Sequence, residues 1–384
     1  MGKLLFTAST YSHLLHFHLP YLKAFAEQGW TLHAACGGEA AFVPYINEII
    51  HLPLRKSMAA PQNLRAAAIL RERVREEGYD LIVTHTSLAA FFTRLALKGL
   101  RRRPPLINMV HGYLFDDETP AAKRRLLMAA ERLMASQTDL ILTMNRWDYE
   151  FTARYRLAAR VAEIPGIGVD FSRFEGVPPR LDARAARGIP ADAFVLLYAA
   201  EFSRRKSQAV LLRALAKLPE RVMLVLAGDG ATRSECEALA SELGLRARVL
   251  FAGHQTDMLL WYAAADVSVT ASRSEGLPFN VMESMYMGLP VVASAVKGHT
   301  DLIEDGVTGL LYPYGDSEAC AVQIARLLES PILHASLAGT AKENVRRYGL
   351  DEVFPKVMEQ YGSLLPHGAV AEKREKEASG AGSV

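Results

Sequence analysis

Two glutamates in one short run are the residues of this chain best placed to do chemistry. Within residues 274–283, a Gly-Leu-Pro turn separates Glu275 from Glu283, eight positions further on. An apolar, helix-like segment over residues 281–287 follows at once. Pro278 suits the first turn of that helix, where no backbone N–H partner is needed. The spacing therefore predicts a helix N-terminus, which offers amide donors and partial positive charge to a phosphate.

The two acids indicate which groups, besides phosphate, a ligand bound by residues 274–283 would carry. Ionised Glu275, before the helix, and Glu283, about one turn inside it, can only accept hydrogen bonds. A ligand with both phosphate and hydroxyl groups fits these acids together with the amides of Phe279, Asn280 and Val281. We therefore expect a nucleotide sugar. The alternative is that both glutamates are solvated charges, since acidic residues are common near helix starts.

A group of cations lies in the same half of the chain. Arg204, Arg205 and Lys206 follow an apolar segment, residues 195–199. A guanidinium and an ammonium at this place could neutralise a diphosphate. The sequence does not decide between the two arginines, and an exposed basic turn is the alternative.

Polar residues at the ends of other predicted strands are further binding candidates. They are His111, Asn145, Gly253 and His254. Ligands of doubly wound parallel sheets bind beyond the carboxyl ends of the strands, which is where these residues fall. His13, which follows the first strand, is a candidate for contact with an acceptor.

Three closely spaced histidines raise the question of a metal site. His13, His16 and His18 are separated by three and two positions, which does not put all three on one helical face. Neither cysteine nor carboxylate lies near them in the sequence. We therefore expect no metal.

Strand and helix segments alternate along the chain, and the alternation occurs twice. It predicts two parallel sheets covered by helices on both faces. Near residues 164–170 the alternation pauses, and a segment rich in Pro, Arg and small residues follows. We predict a first domain over 1–172, a second over 173–348, a closing helix over 349–365 that packs back toward the first, and a disordered tail over 366–384.

The glutamate run and the segment after it, residues 288–293, resemble the signature of family 4 glycosyltransferases. That signature is Glu, seven residues, Glu, and then a Gly-x-Pro-Val-Val segment. The resemblance reaches to about Leu365, and the His-Phe-His-Leu-Pro and Val-His-Gly-Tyr segments are similar to the exopolysaccharide and capsule branch. It implies an α/β protein of the GT-B fold, with two Rossmann-like doubly wound parallel-sheet domains facing across a cleft. It also implies retention of anomeric configuration and independence from a catalytic metal.

The resemblance also implies roles for single residues. Lys206 matches the family's diphosphate-binding lysine, whereas Glu201 stands where arginine is commonest. His111 takes the place of a histidine that reaches the donor sugar. The backbone around Gly253 and His254 would border the nucleobase.

These observations together lead us to expect a retaining hexosyl- or N-acetylhexosaminyl-transferase. The donor would be a nucleoside-diphosphate sugar, most simply a UDP-sugar, and the acceptor a glycan or a polyprenyl-pyrophosphate-linked glycan of cell-surface polysaccharide synthesis. The catalytic residues would be Glu275, Lys206 and His111, with no cofactor. Two alternatives stay open: a UDP-sugar epimerase of the same fold and a non-catalytic nucleotide-sugar-binding protein.

Composition and charge indicate in which part of the cell we expect the protein. Of the 384 residues, 50% are hydrophobic and 22% charged, an ordinary globular composition without a membrane-spanning run. Three scattered cysteines form no disulfide or metal pattern, so we expect the cytoplasm. Basic clusters at 101–103 and 123–125 are either solvated faces or a peripheral contact with anionic lipid at the inner face of the plasma membrane. No nucleic-acid-binding pattern accompanies them.

Overall fold

The computed structural model describes residues 2–365, which form two compact units. The first contains residues 2–167 and 353–365, and the second contains residues 168–352. The sequence placed these boundaries at 172/173 and 348/349, so the second unit begins and ends a few residues from the predicted positions. The predicted disordered tail, 366–384, lies outside the described residues.

The first unit contains a parallel sheet. Its strands are β1 (Lys3–Ala8), β2 (Thr31–Cys36), β3 (Glu48–His51), β4 (Leu81–His85), β5 (Leu106–Val110), β6 (Leu140–Thr143) and β7 (Arg160–Glu163). They pair in the order β3-β2-β1-β4-β5-β6-β7. The strand order reverses beside β1, so the carboxyl ends of β1 and β4 form the switch point where ligands bind in such sheets. The edge strands β3 and β7 were not predicted from the sequence.

The second unit repeats this architecture. Its strands are β8 (Phe194–Ala199), β9 (Val222–Ala227), β10 (Val249–Gly253), β11 (Val267–Thr270), β12 (Val291–Ser294) and β13 (Leu310–Tyr312). All pairs are parallel, in the order β10-β9-β8-β11-β12-β13. Buried Val, Leu and Ala dominate these strands because helices cover the sheet on both faces. The prediction of two α/β domains with doubly wound parallel sheets is confirmed.

Helices connect the strands. They are α1 (Tyr11–Phe17), α2 (Leu19–Glu27), α3 (Pro61–Glu77), α4 (Ser87–Leu97), α5 (Ala121–Met134), α6 (Arg146–Tyr155), α7 (Arg180–Arg187), α8 (Gln208–Leu215), α9 (Arg233–Glu242), α10 (Leu259–Ala264), α11 (Phe279–Tyr286), α12 (His299–Leu302), α13 (Ser317–Glu329), α14 (Pro331–Asn344) and α15 (Leu350–Gly362). Among the described residues, no helix is long and apolar enough to cross a membrane.

The sequence pattern of residues 14–28 predicts one helix, but the structure has two, α1 and α2. The chain breaks at His18, whose φ and ψ of −123° and 0° are not helical. Pro20 lies in the first turn of α2, where its missing N–H is tolerated, but it could not continue α1. His18 therefore does not continue the helical backbone of α1.

Candidate active site

The buried carboxylate of Glu275 is the centre of the charged cluster in the second unit. Lys206 donates to its Oε1 at 2.5 Å, and Arg205 donates to its Oε2 at 3.1 Å. Arg205 also donates to the carbonyl of Ser274 at 3.0 Å. Glu275 is 7% exposed, and the Lys206 side chain is 12% exposed. The loops after β8 and β11 are therefore tied together by charge-assisted hydrogen bonds to a buried carboxylate, with Lys206 largely buried and Arg205 half-exposed.

The cations determine the ionisation of Glu275. Burial by itself would raise the pKa of this carboxyl, but the charges of Lys206 and Arg205 outweigh burial and lower the pKa to about 2. Glu275 is thus ionised at neutral pH. One carboxylate between two cations leaves a local net charge of +1, which suits an anionic ligand.

Gly298 allows a neighbouring loop to pack against this carboxylate. Its φ is +83°, and a Cβ there would lie 2.8 Å from the Cβ of Glu275 and 2.8 Å from the carbonyl oxygen of Gly276. Any side chain would therefore collide with the glutamate loop. The Gly298 amide donates to Asp301 Oδ2 at 2.8 Å, which orders the start of α12.

The second glutamate of the run, Glu283, lies in α11 and has a different environment. Tyr262, from α10, donates to its Oε2 at 2.7 Å. Burial raises the pKa of Glu283, although the Tyr262 hydrogen bond and Arg173 act in the opposite direction. Sequence reasoning missed Tyr262, because nothing in the order of the chain links α10 to the glutamate run.

The helix after Glu275 begins one residue after Pro278 and two residues before the segment predicted as helical, 281–287. Pro278 is the N-cap residue, with an extended φ and ψ of −76° and 121°, and α11 begins at Phe279. The prediction that Pro278 lies in the first turn is therefore wrong. The first turn contains Phe279, Asn280 and Val281, as predicted, and the helix contributes an N-terminus beside the charged cluster.

The structure distinguishes the two arginines that the sequence left equivalent. Arg205 reaches Glu275, whereas Arg204 is exposed and lines a cavity of about 400 Å³ between α8 and α9, together with Ser207. Arg205 is therefore the arginine that accompanies Lys206. Glu201 is exposed, and its carbonyl oxygen accepts a hydrogen bond from Gln208 Nε2 at 2.8 Å.

Comparison with known proteins decides the family. The family Glycosyl transferases group 1 matches residues 179–344, and the Glycosyl transferase 4-like domain matches residues 19–166. EpsD of Bacillus subtilis (strain 168), a protein assigned as a glycosyltransferase, is 34% identical over 370 residues, covering 94% of this chain and 97% of EpsD. This chain belongs to the family 4 glycosyltransferases of the GT-B fold.

Other relatives agree with this membership. A D-inositol 3-phosphate glycosyltransferase of Xylanimonas cellulosilytica is 32% identical, covering 77% of this chain and 75% of that protein. Sucrose-phosphate synthase from Thermosynechococcus elongatus shares the fold with a TM-score of 0.79, at 22% identity and with 95% and 99% of the two chains covered. Anabaena HepE, solved with UDP-glucose, has a TM-score of 0.77 at 22% identity, with 94% and 100% covered.

Two further predicted residues of this glycosyltransferase lie at the end of β10. Gly253 is the last residue of that strand, with φ +70°, and its carbonyl oxygen accepts from the amide of Gly228 at 2.7 Å. A Cβ on Gly228 would lie 2.0 Å from the carbonyl oxygen of Ala200, so the strand ends pack through glycine. His254 follows and is exposed. Its contact with a nucleobase stays a prediction.

The predicted histidines of the first unit lie together at the switch point of its sheet. His111 follows β5, and its Nε2 is 3.3 Å from Nε2 of His13. His18 and His85 complete the group, and both are fully buried. Burial lowers the pKa of His111, His18 and His85 well below the usual value, and that of His13 to about 4. The rings are therefore neutral at physiological pH.

Sequence reasoning missed His85 and gave His18 no role. His85 ends β4, so the strand-end rule that selected His111 would also have selected His85. His16, the third histidine of the first segment, points elsewhere: it is exposed and lies against Ser12.

The side chain of Asn145 caps the helix that follows it, α6. It is 0% exposed, and its Oδ1 caps α6 by accepting from the amide of Asp148 at 2.9 Å. Its Nδ2 donates to Asp148 Oδ2 at 2.8 Å. Both polar ends of the side chain are used within the helix cap, which does not support the predicted substrate contact.

Proposed function

We propose that this glycosyltransferase transfers a hexosyl or N-acetylhexosaminyl group from a UDP-sugar, with retention of configuration. The acceptor is a glycan or a polyprenyl-pyrophosphate-linked glycan of cell-surface polysaccharide synthesis. The observation that carries the proposal is the buried Glu275 bound to Lys206 and Arg205 beside the start of α11. The similarity to EpsD supports the exopolysaccharide branch, and the fold shared with HepE, solved with UDP-glucose, supports a UDP-sugar donor.

The cluster suits a diphosphate leaving group. Lys206 and Arg205 outnumber Glu275, so positive charge remains for the phosphates, and the N-terminal turn of α11 adds its dipole. Glu275 holds the lysine in place before the donor binds. Such preorganisation stabilises charge that develops in the transition state without the cost of reorienting the groups.

The two glutamates would contact different parts of the donor. Glu275 is ionised and accepts hydrogen bonds from hydroxyls of the sugar. Glu283 has a raised pKa because it is buried, and donation from ribose hydroxyls would favour its ionised form alongside Tyr262. His111 stays a predicted contact of the donor sugar.

The transfer step conserves atoms and charge. The bond between the anomeric carbon and the diphosphate oxygen breaks, and UDP carries away the electron pair. The acceptor hydroxyl forms its bond to the same carbon on the face from which the diphosphate leaves. Its proton passes to a diphosphate oxygen, so the step needs neither a protein base nor a metal.

The proposal includes a peripheral membrane contact at the cytoplasmic face. It rests on the basic clusters at 101–103 and 123–125, and two of their arginines are already in ion pairs. Arg103 binds Asp139 at 2.6 Å, and Arg124 binds Asp117 at 2.9 Å. Less charge is therefore free for anionic lipid than the sequence suggested.

Two measurements test the proposal. A thermal-shift screen of UDP-, GDP- and ADP-sugars should show selective stabilisation by a UDP-sugar. Release of UDP in the presence of lipid-linked glycan acceptors should then fall more than ~10-fold in Glu275→Gln, which removes a charge from the transition-state site. The control is Glu318→Gln, an exposed acid of α13 in the same unit, which should retain full turnover.

Product analysis separates this activity from an epimerase. Mass spectrometry should find the acceptor extended by one sugar, not an interconverted donor. Full turnover in Glu275→Gln, or stabilisation by none of the nucleotide sugars, would refute the proposal.

A further inference from the structure

Four histidine rings of the first unit converge on one point. His13 comes from α1, His18 from the break after it, His85 from the end of β4, and His111 from the loop after β5. One nitrogen of each ring lies within 4.8 Å of the other three. The break at His18 is what makes this possible, since an uninterrupted helix could not aim both His13 and His18 at the same place.

The spacing of the nitrogens is that of a coordination sphere. Nε2 of His13 is 3.3 Å from Nε2 of His111 and 3.4 Å from Nε2 of His18. Nε2 of His111 is 3.4 Å from Nδ1 of His85. Four nitrogens bound tetrahedrally to zinc at its usual distance of ~2.0–2.1 Å lie about 3.3–3.4 Å from one another. Three of the six spacings thus already match a tetrahedral site.

Hydrogen bonding alone satisfies this arrangement poorly. A neutral imidazole has one N–H and one lone pair. Nε2 of His13 and Nε2 of His111 each face two other ring nitrogens, yet each can hold at most one proton. A cation at the centre would accept all four lone pairs at once.

Two of the remaining ring nitrogens would carry protons when the inward-facing nitrogens bind a metal, and no acceptor among the described residues orders them. Nδ1 of His18 and Nε2 of His85 are buried and have no hydrogen-bond partner among the described residues. These are the ring atoms that carry the proton when the inward-facing nitrogen binds a metal.

We propose that His13, His18, His85 and His111 bind one first-row transition-metal ion, with Zn²⁺ as the best fit. Mg²⁺ and Ca²⁺ require oxygen ligands, and Cu²⁺ and Ni²⁺ favour tetragonal rather than tetrahedral nitrogen sites. The site goes beyond glycosyl transfer and gives the metal no part in that reaction. A metal on Nε2 of His111 and a donor-sugar contact through the same nitrogen exclude each other, so the predicted donor contact applies to the metal-free protein.

The expectation of no metal considered only histidines of one sequence segment. The helix breaks at His18, so the argument from helical spacing does not hold for His13 and His18, whereas His16 lies outside the cluster. The proposed ligands come instead from the α1 segment after β1 and from the ends of β4 and β5, which the sequence does not show to be neighbours.

Metal binding by the untagged full-length protein tests the proposal. The protein is stripped with a chelator and titrated with Co²⁺ alone, whose visible absorption reports tetrahedral nitrogen coordination, and then with Zn²⁺ alone in a competition experiment. We expect one Co²⁺ per chain with a tetrahedral spectrum, displacement by one Zn²⁺, and a rise in melting temperature with Zn²⁺. His13→Gln and His18→Gln should each weaken Zn²⁺ binding by more than the ~10–100-fold that loss of an outer partner causes.

The matched control is His16→Gln, which removes a histidine of the same segment outside the cluster and should bind like the parent protein. Circular dichroism of metal-free samples shows whether each variant folds. His13 is only half-buried, so its variant remains informative if His18→Gln does not fold. An octahedral spectrum, no stoichiometric binding, or undiminished affinity in folded His13→Gln would overturn the metal site and leave a hydrogen-bonded histidine cluster.

Discussion

Removing the charge of Glu275 should measurably destabilise the second unit. Glu275→Gln keeps the shape of the side chain but takes away the partner of Lys206, an ammonium that is 12% exposed. A buried cation without its counter-charge is strongly destabilising, because neither water nor protein compensates it. The loss therefore comes from the cation left behind as well as from the hydrogen bonds.

The magnitude follows from the pKa of Glu275. Folding lowers this pKa from 4.5 to about 2, and one pKa unit is about 1.4 kcal/mol, so ionised Glu275 contributes about 3 kcal/mol at pH 7. Because the folded pKa lies below the unfolded one, the contribution is complete above about pH 5 and is lost as the pH falls toward 2. At pH 3.5 it should be about 2 kcal/mol.

Urea denaturation of the parent protein and the variant at both pH values measures this difference. Glu283→Gln is the control, since burial raises the pKa of Glu283 and its ionised form adds no stability. A glutamine at 283 can still accept from Tyr262, so the control should change the free energy of unfolding by no more than about 1 kcal/mol. If the two variants are equally stable at pH 7, or if the Glu275→Gln difference grows on acidification, the electrostatic account of this cluster is wrong.

Two further substitutions test the surroundings of the candidate sites. Gly298→Ala should lose about 1–3 kcal/mol of stability because its φ of +83° and ψ of −42° strain any other residue, and more from the collision with Glu275. Thermal melting should show a lower midpoint, and the UDP-release assay should show reduced turnover. Asn145→Ala should lose about 1 kcal/mol by removing the cap of α6, with KM for the donor and for the acceptor unchanged in steady-state assays. A KM raised at least tenfold in a folded Asn145→Ala protein would instead restore its predicted role in binding.

Much of the fold was predictable because it depends on short-range patterns. Apolar segments bounded by turns indicated ten of the strands that the described residues form, and their alternation with helices predicted the two parallel sheets. The strands β3, β7 and β13 were missed: all lie at sheet edges, and half-exposed residues weaken the apolar pattern of β3 and β7, whereas β13 has three residues only. The break at His18 was missed because α1 and α2 together read as one amphipathic helix.

The sequence by itself determined the family, the order of the elements and the glutamate run, since these depend on residue type and on spacing within one segment. Only the tertiary structure decided that Arg205 and not Arg204 reaches Glu275 and that Tyr262 binds Glu283. It alone brought His85 to His13, His18 and His111. Each of these contacts joins segments far apart in the chain, and parallel strand pairing, not sequence spacing, makes them neighbours.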